Sequence, residues 1–181
     1  YWREPGRYHK ERVLAGFASF EARLAHDLEL ARIRMENIVR FLHGGWLLDV
    51  GASNGALVRM ALEYGFDAVG VEPDPWVVMH ARAAGCNRMF CKTFEEYAPA
   101  APSDSFHVIV FNDSFEHLLD PHGALEECLR MLIRWGLLVL EMPDADCPNF
   151  KRLGASWKHF KPREHAYLYG RRHIETLLRM H

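Results

Sequence analysis

WLLDVGASNGALVRMALEYGFDAVGVEPDP, residues 46–75, decides how this chain is read. Trp46 to Val50 is a short apolar run of the kind found in strands buried on both faces. Gly51-Ala52-Ser53-Asn54-Gly55 follows, small residues that permit a tight turn and close approach of the backbone. Ala56 to Tyr64 has helical spacing, with Leu57, Val58, Ala61 and Leu62 placed on one side and Gly65 as the left-handed stop. Asp67 to Val71 is a second strand, and Glu72 stands at its end before Pro73. Strand, glycine turn, helix, strand and acid form the layout of a nucleotide-binding βαβ unit, with the acid about 20 positions beyond the first glycine.

The same alternation extends outward. Upstream, Leu24, Leu28, Ala31, Met35, Ile38, Val39 and Leu42 recur at threes and fours, predicting a helix over 21–42 that Gly44-Gly45 ends. Downstream, Asp74 caps a helix that begins with Pro75 and runs to about Ala84. Residues 88–91 form a third strand, and Thr93 to Tyr97 lie just beyond it. Phe106 to Phe111 form a fourth strand, and Asp120-Pro121 opens a helix to about Ile133. Leu137 to Met142 are a fifth strand, and Arg171 begins a final helix. Strands alternating with helices predict an α/β fold, a Rossmann-like, doubly wound, mostly parallel sheet with helices on both faces. In such sheets ligands bind at the carboxyl ends of the strands, and the unusual polar residues of this chain gather there.

Length and composition fit one globular domain: 181 residues, 49% hydrophobic, 25% charged. We divide it into an N-terminal helical segment (1–43) and a nucleotide-binding-type domain (44–181), with residues 144–170 as a lid on the acceptor side. Lys plus Arg number 22 against 24 for Asp plus Glu, so no overall charge draws the chain to nucleic acid or to an anionic membrane. No apolar run of about 18 residues is present, so no membrane span is expected. Cys86, Cys91, Cys128 and Cys147 show no CxxC pair and read as free thiols of a reducing, cytoplasmic setting. Without an initiating Met, the chain reads as a piece of a longer protein. Tyr1 to His9, rich in aromatics, Pro and Gly, reads as a loose terminus or as a flap over a ligand.

The glycine turn allows a dinucleotide or another adenosyl ligand. A dinucleotide fingerprint needs G-x-G-x-x-G; here the middle position is Ser53 and the spacing is Gly51-x-x-x-Gly55. The turn holds no basic residue, and Asp49 precedes it. That carboxylate would repel a pyrophosphate and attract a cation. S-adenosyl-L-methionine, with an ammonium, a sulfonium and no phosphate, suits this charge pattern best.

LLDVGASNG, GVEPD, VFNDSFEHLLDP and LLVLEMP, in that order, resemble the motifs of class I S-adenosylmethionine-dependent methyltransferases. FEHLLDPHGALEECLRML, with Trp157, Glu164-His165 and Tyr167 later on, is similar to the small-molecule branch that includes ubiquinone-biosynthesis O-methyltransferase-like proteins. The resemblance spans roughly residues 44–180. It implies that Asp49 and Gly51, Ala52, Ser53, Asn54 and Gly55 line the methionine part of the cofactor. It also implies that Glu72 holds the ribose hydroxyls, with Pro73 or Asp74 near the adenine and Thr93 and Phe94 flanking that ring. Asn112, Asp113 and Ser114 match the segment beside the transferable methyl. Ile133-Arg134-Trp135-Gly136 departs from the family's usual K-P-G-G turn, a change expected to alter the turn but not the site. The family fold has two further strands, which this sequence lacks.

The resemblance implies transfer of a methyl group to a small-molecule acceptor, most simply a hydroxyl, leaving S-adenosyl-L-homocysteine. C- or N-methylation of a sugar or secondary metabolite, a non-catalytic cofactor-binding module and a nicotinamide oxidoreductase are the competing readings. For a hydroxyl acceptor a histidine base is the natural choice near neutral pH. His165, in the aromatic lid segment, and His117, just past the fourth strand, are the candidates. His117 reads equally as a residue that orders its loop, and Glu116 as a loop or cap acid. The spacing of Cys147, His159 and His165 does not suit a metal, so none is expected.

Overall fold

The computed structural model describes Leu14 and residues 16–181. The proposed flap at Tyr1–His9 lies outside them. Five parallel strands form one sheet in the order β3-β2-β1-β4-β5. They are β1 (Gly45–Val50), β2 (Phe66–Val71), β3 (Met89–Phe90), β4 (Phe106–Asn112) and β5 (Leu132–Glu141). The helices are α1 (Phe20–Ile38), α2 (Ala56–Glu63), α3 (Pro75–Ala83), α4 (Phe94–Tyr97), α5 (Pro121–Met131), α6 (Pro148–Leu153) and α7 (Arg171–Arg179). The doubly wound expectation holds.

The strand period divides the core in two. Leu47, Ala68, Val108 and Val110 face one layer with Leu24, Ala31 and Met35 of α1 and Leu57, Val58 and Ala61 of α2. Leu48, Val50, Val69, Val71, Ile109 and Phe111 face the other, with Phe94, Leu125, Cys128, Met131 and Leu177. Because β1 alternates, Asp49 points to the α1 side, where Arg34 is found.

Several boundaries differ from the sequence reading. Helix α1 stops at Ile38, capped at its start by the Ser19 hydroxyl, and a turn fills the residues before Gly44. Leu62 is exposed rather than packed, since it sits at the rim of the arc centred on Leu57 and Ala61. Residues 94–97 form a helical turn, because Thr93 and Glu96 make a complete capping box. Within residues 144–169 a short helix forms: the Cys147 sulfur accepts from Phe150 N and caps α6, with Pro148 at its first position. Two thiols, Cys86 and Cys128, are buried, Cys91 is exposed and Cys147 is half-buried.

The largest difference is at β5. Helix α5 ends at Met131 and the strand begins at Leu132, well before Leu137. Leu132 pairs with Phe106 and Leu137 with Val108, so residues 133–136 bulge opposite His107. Trp135 sits at φ 68, 83% exposed, under the Arg134 guanidinium at 5.3 Å. No Gly or Pro stops the helix there; pairing with β4 does. The bulge lies at the amino end of the sheet, away from the strand ends that carry the site residues.

Candidate functional site

The site is built on the carboxyl ends of β1, β2 and β4. After β1 the chain turns at Gly51 (φ 77) and Gly55 (φ 76). The Gly51 and Ala52 N–H groups both donate to Val71 O, at 2.9 and 3.0 Å, which lays the turn over the end of β2. A side chain at Gly51 would put its Cβ 2.6 Å from Ser114 Cβ. That contact, with the Ser114 hydroxyl donating to Val50 O at 2.6 Å, closes the loop after β4 onto the glycine turn. Ser53 replaces a glycine and still takes a left-handed conformation, at φ 47.

Glu72 joins the two turns. Its Oε2 accepts from Ser53 N and its Oε1 from Asp74 N, both at 3.0 Å. Both donors are main-chain N–H groups, so the carboxylate sits at the junction of the two turns. Asp74 is committed to capping α3, its Oδ1 accepting from Trp76 N at 2.8 Å and Val77 N at 3.4 Å. Pro73 lies between these two acids, and its carbonyl accepts a weak bond from the Cys91 thiol at 3.8 Å.

Asp49 is buried, 3% exposed. Burial pushes its carboxyl up to about 7, with the Arg34 guanidinium pulling it down and Glu72 pushing it up. Arg34 crosses from α1 to make a two-pronged ion pair with Glu141 at the end of β5, at 2.6 and 2.9 Å. That pairing keeps the Glu141 carboxyl below the usual carboxylate range. Asp113 (φ 48) lies alongside, its N–H donating to Glu141 O at 2.8 Å, and burial first, then Glu141, holds its carboxyl above the usual range. Asn112, half-buried, ends β4 in register with Glu141.

Asn54, Phe94 and Thr93, three of the expected cofactor residues, serve the scaffold with their side chains. The Asn54 amide donates to Asp27 of α1 at 2.7 Å and its carbonyl oxygen accepts from Ala56 N, so it ties the turn to the helix. The Phe94 ring is buried against Phe111, centroids 5.4 Å apart, in the core rather than at a ligand face. Thr93 spends its hydroxyl on the α4 cap. Only the main chain of these residues is left to meet a ligand.

The 115–117 turn after β4 meets the 144–170 segment. The Glu116 carbonyl accepts the N–H groups of Ala166 and Tyr167, at 2.9 and 3.2 Å. His117 Nδ1 bonds Glu164 O at 2.7 Å, and the Tyr167 hydroxyl donates to Leu119 O at 3.3 Å. His165 packs edge-on to His117, with ring centroids 4.9 Å apart. It lines a cavity of about 240 Å³ with Phe160, Lys161 and Tyr167. Tyr169 packs below, its phenol pushed up to about 12 by burial first and then by Tyr167 and Glu116. Trp157 is buried against Phe150, so it braces the 144–170 segment.

His165 and His117 are therefore brought together, with Glu116 behind them. Donor atoms of the three residues lie within 4.8 Å of one another, the metal-type grouping found among the described residues. It differs from the Cys147, His159 and His165 set weighed from sequence. Sequence reasoning also missed Arg34 and Glu141. Glu141 was detectable as the last polar residue of the LLVLE strand, whereas nothing in the helical pattern singles out Arg34.

Residues 22–181 match the family model described as a methyltransferase domain. The ubiquinone biosynthesis O-methyltransferase of Cereibacter sphaeroides is 29% identical over 117 residues, covering 61% of this chain and 47% of that protein. The chain thus spans about half the length of such relatives. An ATP synthase lysine N-methyltransferase of Mus musculus is 43% identical over 51 residues, 27% of this chain and 21% of that protein. A SAM-dependent methyltransferase from Archaeoglobus fulgidus shares the fold at TM-score 0.73 and 15% identity, over 97% of this chain and 73% of that one.

Proposed function

The chain belongs to the family of class I methyltransferase domains, and from that membership we propose that it transfers a methyl group from S-adenosyl-L-methionine to a hydroxyl of a small molecule. One observation carries the cofactor assignment. Asp49 and Glu72, two buried carboxylates at adjacent strand ends, flank a glycine turn with no basic residue in it. Such a site suits a ligand with a cationic end and a diol, and disfavours a pyrophosphate.

In this reading Asp49 and the main chain of residues 51–55 hold the methionine part, and Glu72 holds the ribose hydroxyls. Pro73, Asp74 and the main chain at Thr93 and Phe94 border the adenine. Asn112, Asp113 and Ser114 stand beside the reacting centre. The cofactor supplies an electrophilic methyl on a sulfonium. The protein orients the acceptor, excludes water and takes up its proton. His165, lining the lid cavity, is the base; His117 orders the lid through Glu164 O and shapes the space beside His165. The segment 144–170 is the acceptor-side lid.

Calorimetry with S-adenosylhomocysteine and with NADH, followed by a screen of hydroxyl-bearing acceptors with a labelled methyl donor, tests the proposal. Binding of S-adenosylhomocysteine together with labelled product is expected. Binding of NADH with none of S-adenosylhomocysteine would sink it.

A further inference from the structure

The charges of this chain are unevenly placed. Residues 148–181 carry eight Lys and Arg against two Glu, although acids outnumber bases in the chain as a whole. Within them the run WKHFKPREHAYL, residues 157–168, holds Lys158, Lys161 and Arg163 against one acid, Glu164. The same run walls the cavity: Phe160, Pro162, Tyr167 and Leu168 give it apolar sides and Lys161 a cation. The Lys161 carbonyl accepts the N–H groups of Glu164 and His165, both at 2.8 Å, so residues 161–165 close into one turn. That turn brings Lys161 Nζ to 3.4 Å from Glu164 Oε2, with the Lys161 side chain 40% exposed and that of Glu164 15%. An ammonium has three N–H donors, and one carboxylate oxygen takes one of them. Lys158 and Arg163 are exposed, with no carboxylate at ion-pair distance among the described residues. A solvated basic face accounts for those two, but not for a lysine that walls a cavity together with two aromatic rings.

We propose that the acceptor is a small aromatic molecule bearing a carboxylate, which Lys161 binds while the rings of Phe160 and Tyr167 hold the aryl part. This rests on the hydroxyl-methylation reading and adds to it the class of acceptor. At about 240 Å³ the cavity falls below the roughly 300–1,000 Å³ of sites for drug-sized ligands, room for one substituted ring rather than a long chain. Neither Glu116 nor Glu164 lines it, so the charge that its wall presents is positive. One ammonium, already shared with Glu164, matches a monoanion. A phosphate dianion calls for forked guanidinium groups, and no Arg lines this cavity. A carboxylate held by Lys161 is an anchor and not the atom that takes the methyl, so the methyl goes to a hydroxyl elsewhere on the ring. Lys158 and Arg163 act at longer range, raising the local concentration of an anion around the cavity.

Binding and turnover test this separately. Lysine side-chain NMR, with the Lys161 signal assigned from Lys161→Met, is followed during titration with phenylacetate and with methyl phenylacetate. Phenylacetate is expected to move the Lys161 signal more than that of Lys158, and the neutral ester to leave it in place. A Lys161 signal unmoved by phenylacetate, moved no more than Lys158, or moved equally by the ester overturns the inference. Turnover is then measured on hydroxyaryl carboxylates beside their methyl esters, with a labelled methyl donor. The acids are expected to be preferred by roughly tenfold or more in kcat/KM, a preference that falls as salt is raised. Lys161→Met should bring acid and ester to within about twofold of each other, and Lys161→Arg should restore much of the preference. Esters used as well as acids by the parent, or a product with the new methyl on the carboxylate, overturn the inference alone. Absence of S-adenosylhomocysteine binding would instead remove the methyltransferase reading and this inference with it.

Discussion

The carboxylate of Glu72 reaches back from the end of β2 to accept the N–H of Ser53 at 3.0 Å, with its other oxygen on Asp74 N. The residue expected to hold a ribose is therefore also the clasp between the two loops that would enclose it. Glu72→Ala removes both bonds and the proposed ribose contacts. It is expected to weaken S-adenosylhomocysteine binding by about 1.5–3 kcal/mol, the scale of hydrogen bonds to a charged group. Calorimetry beside a denaturant titration separates the two effects. Unchanged affinity would mean that the strand-two acid does not touch the ligand.

Gly51 gives a prediction about stability alone. Alanine there must adopt φ 77 and place its Cβ 2.6 Å from Ser114 Cβ, whose hydroxyl is held by Val50 O. Neither side can give way without breaking the link between the first and fourth strand ends. Gly51→Ala is expected to cost about 1–3 kcal/mol, as strained left-handed positions do, read as a lower denaturation midpoint. Alanine at Gly65, also left-handed but with nothing within 4 Å of its Cβ, meets only the backbone term and should cost less.

Asn54 gives a third prediction. Its amide bond to Asp27 is the side-chain tie from the glycine turn to α1, and Asp27 is also paired with Arg23 at 2.6 Å. Asn54→Ala removes one of the two donors to Asp27 Oδ2, which keeps Arg23, and leaves the Ala56 N–H at the helix start without its side-chain acceptor. A loss of about 1–3 kcal/mol is expected, with the turn itself exchanging amide protons faster than β1. A midpoint unchanged from the parent would show that the tie is dispensable.

Much of this site was legible in the sequence because strand ends are. The apolar runs of β1, β2 and β4 mark where each strand stops, and the polar residue at or beside that stop lies at the carboxyl edge of the sheet. That logic placed Asp49, Glu72 and Asn112 correctly with respect to the sheet. It could not say which way a side chain turns once it leaves the strand. Phe94 went to the core because Phe111 offers an aromatic face, and Asn54 went to Asp27, a partner 27 residues earlier. Glu116 and His165 are 49 positions apart, and no period links them; only the return of residues 166–167 to the 115–117 turn does. The end of α5 was hidden for a similar reason, being set by pairing with β4 rather than by a local stop.

Asp49 makes the site sensitive to pH, and the sign follows from its environment. Burial raises its carboxyl from 3.8 to about 7, so the folded chain holds this proton over a range in which the unfolded chain has released it. The contribution to stability is greatest below the unfolded value and declines as pH rises from about 4 to about 7, beyond which it is flat. Asp49→Asn is expected to remove that decline. Affinity for a cationic ligand runs the other way, since the ionised carboxylate is the attractive form: it should rise with pH through about 7 and release a proton on binding. Arg34 lowers this transition, so Arg34→Met should move it to higher pH while leaving Glu141 without its partner. Calorimetric titrations with S-adenosylmethionine across the range, in buffers of different ionisation enthalpy, read both the midpoint and the proton released. Affinity independent of pH in the parent and in both variants would show that Asp49 does not face the cationic end of the ligand.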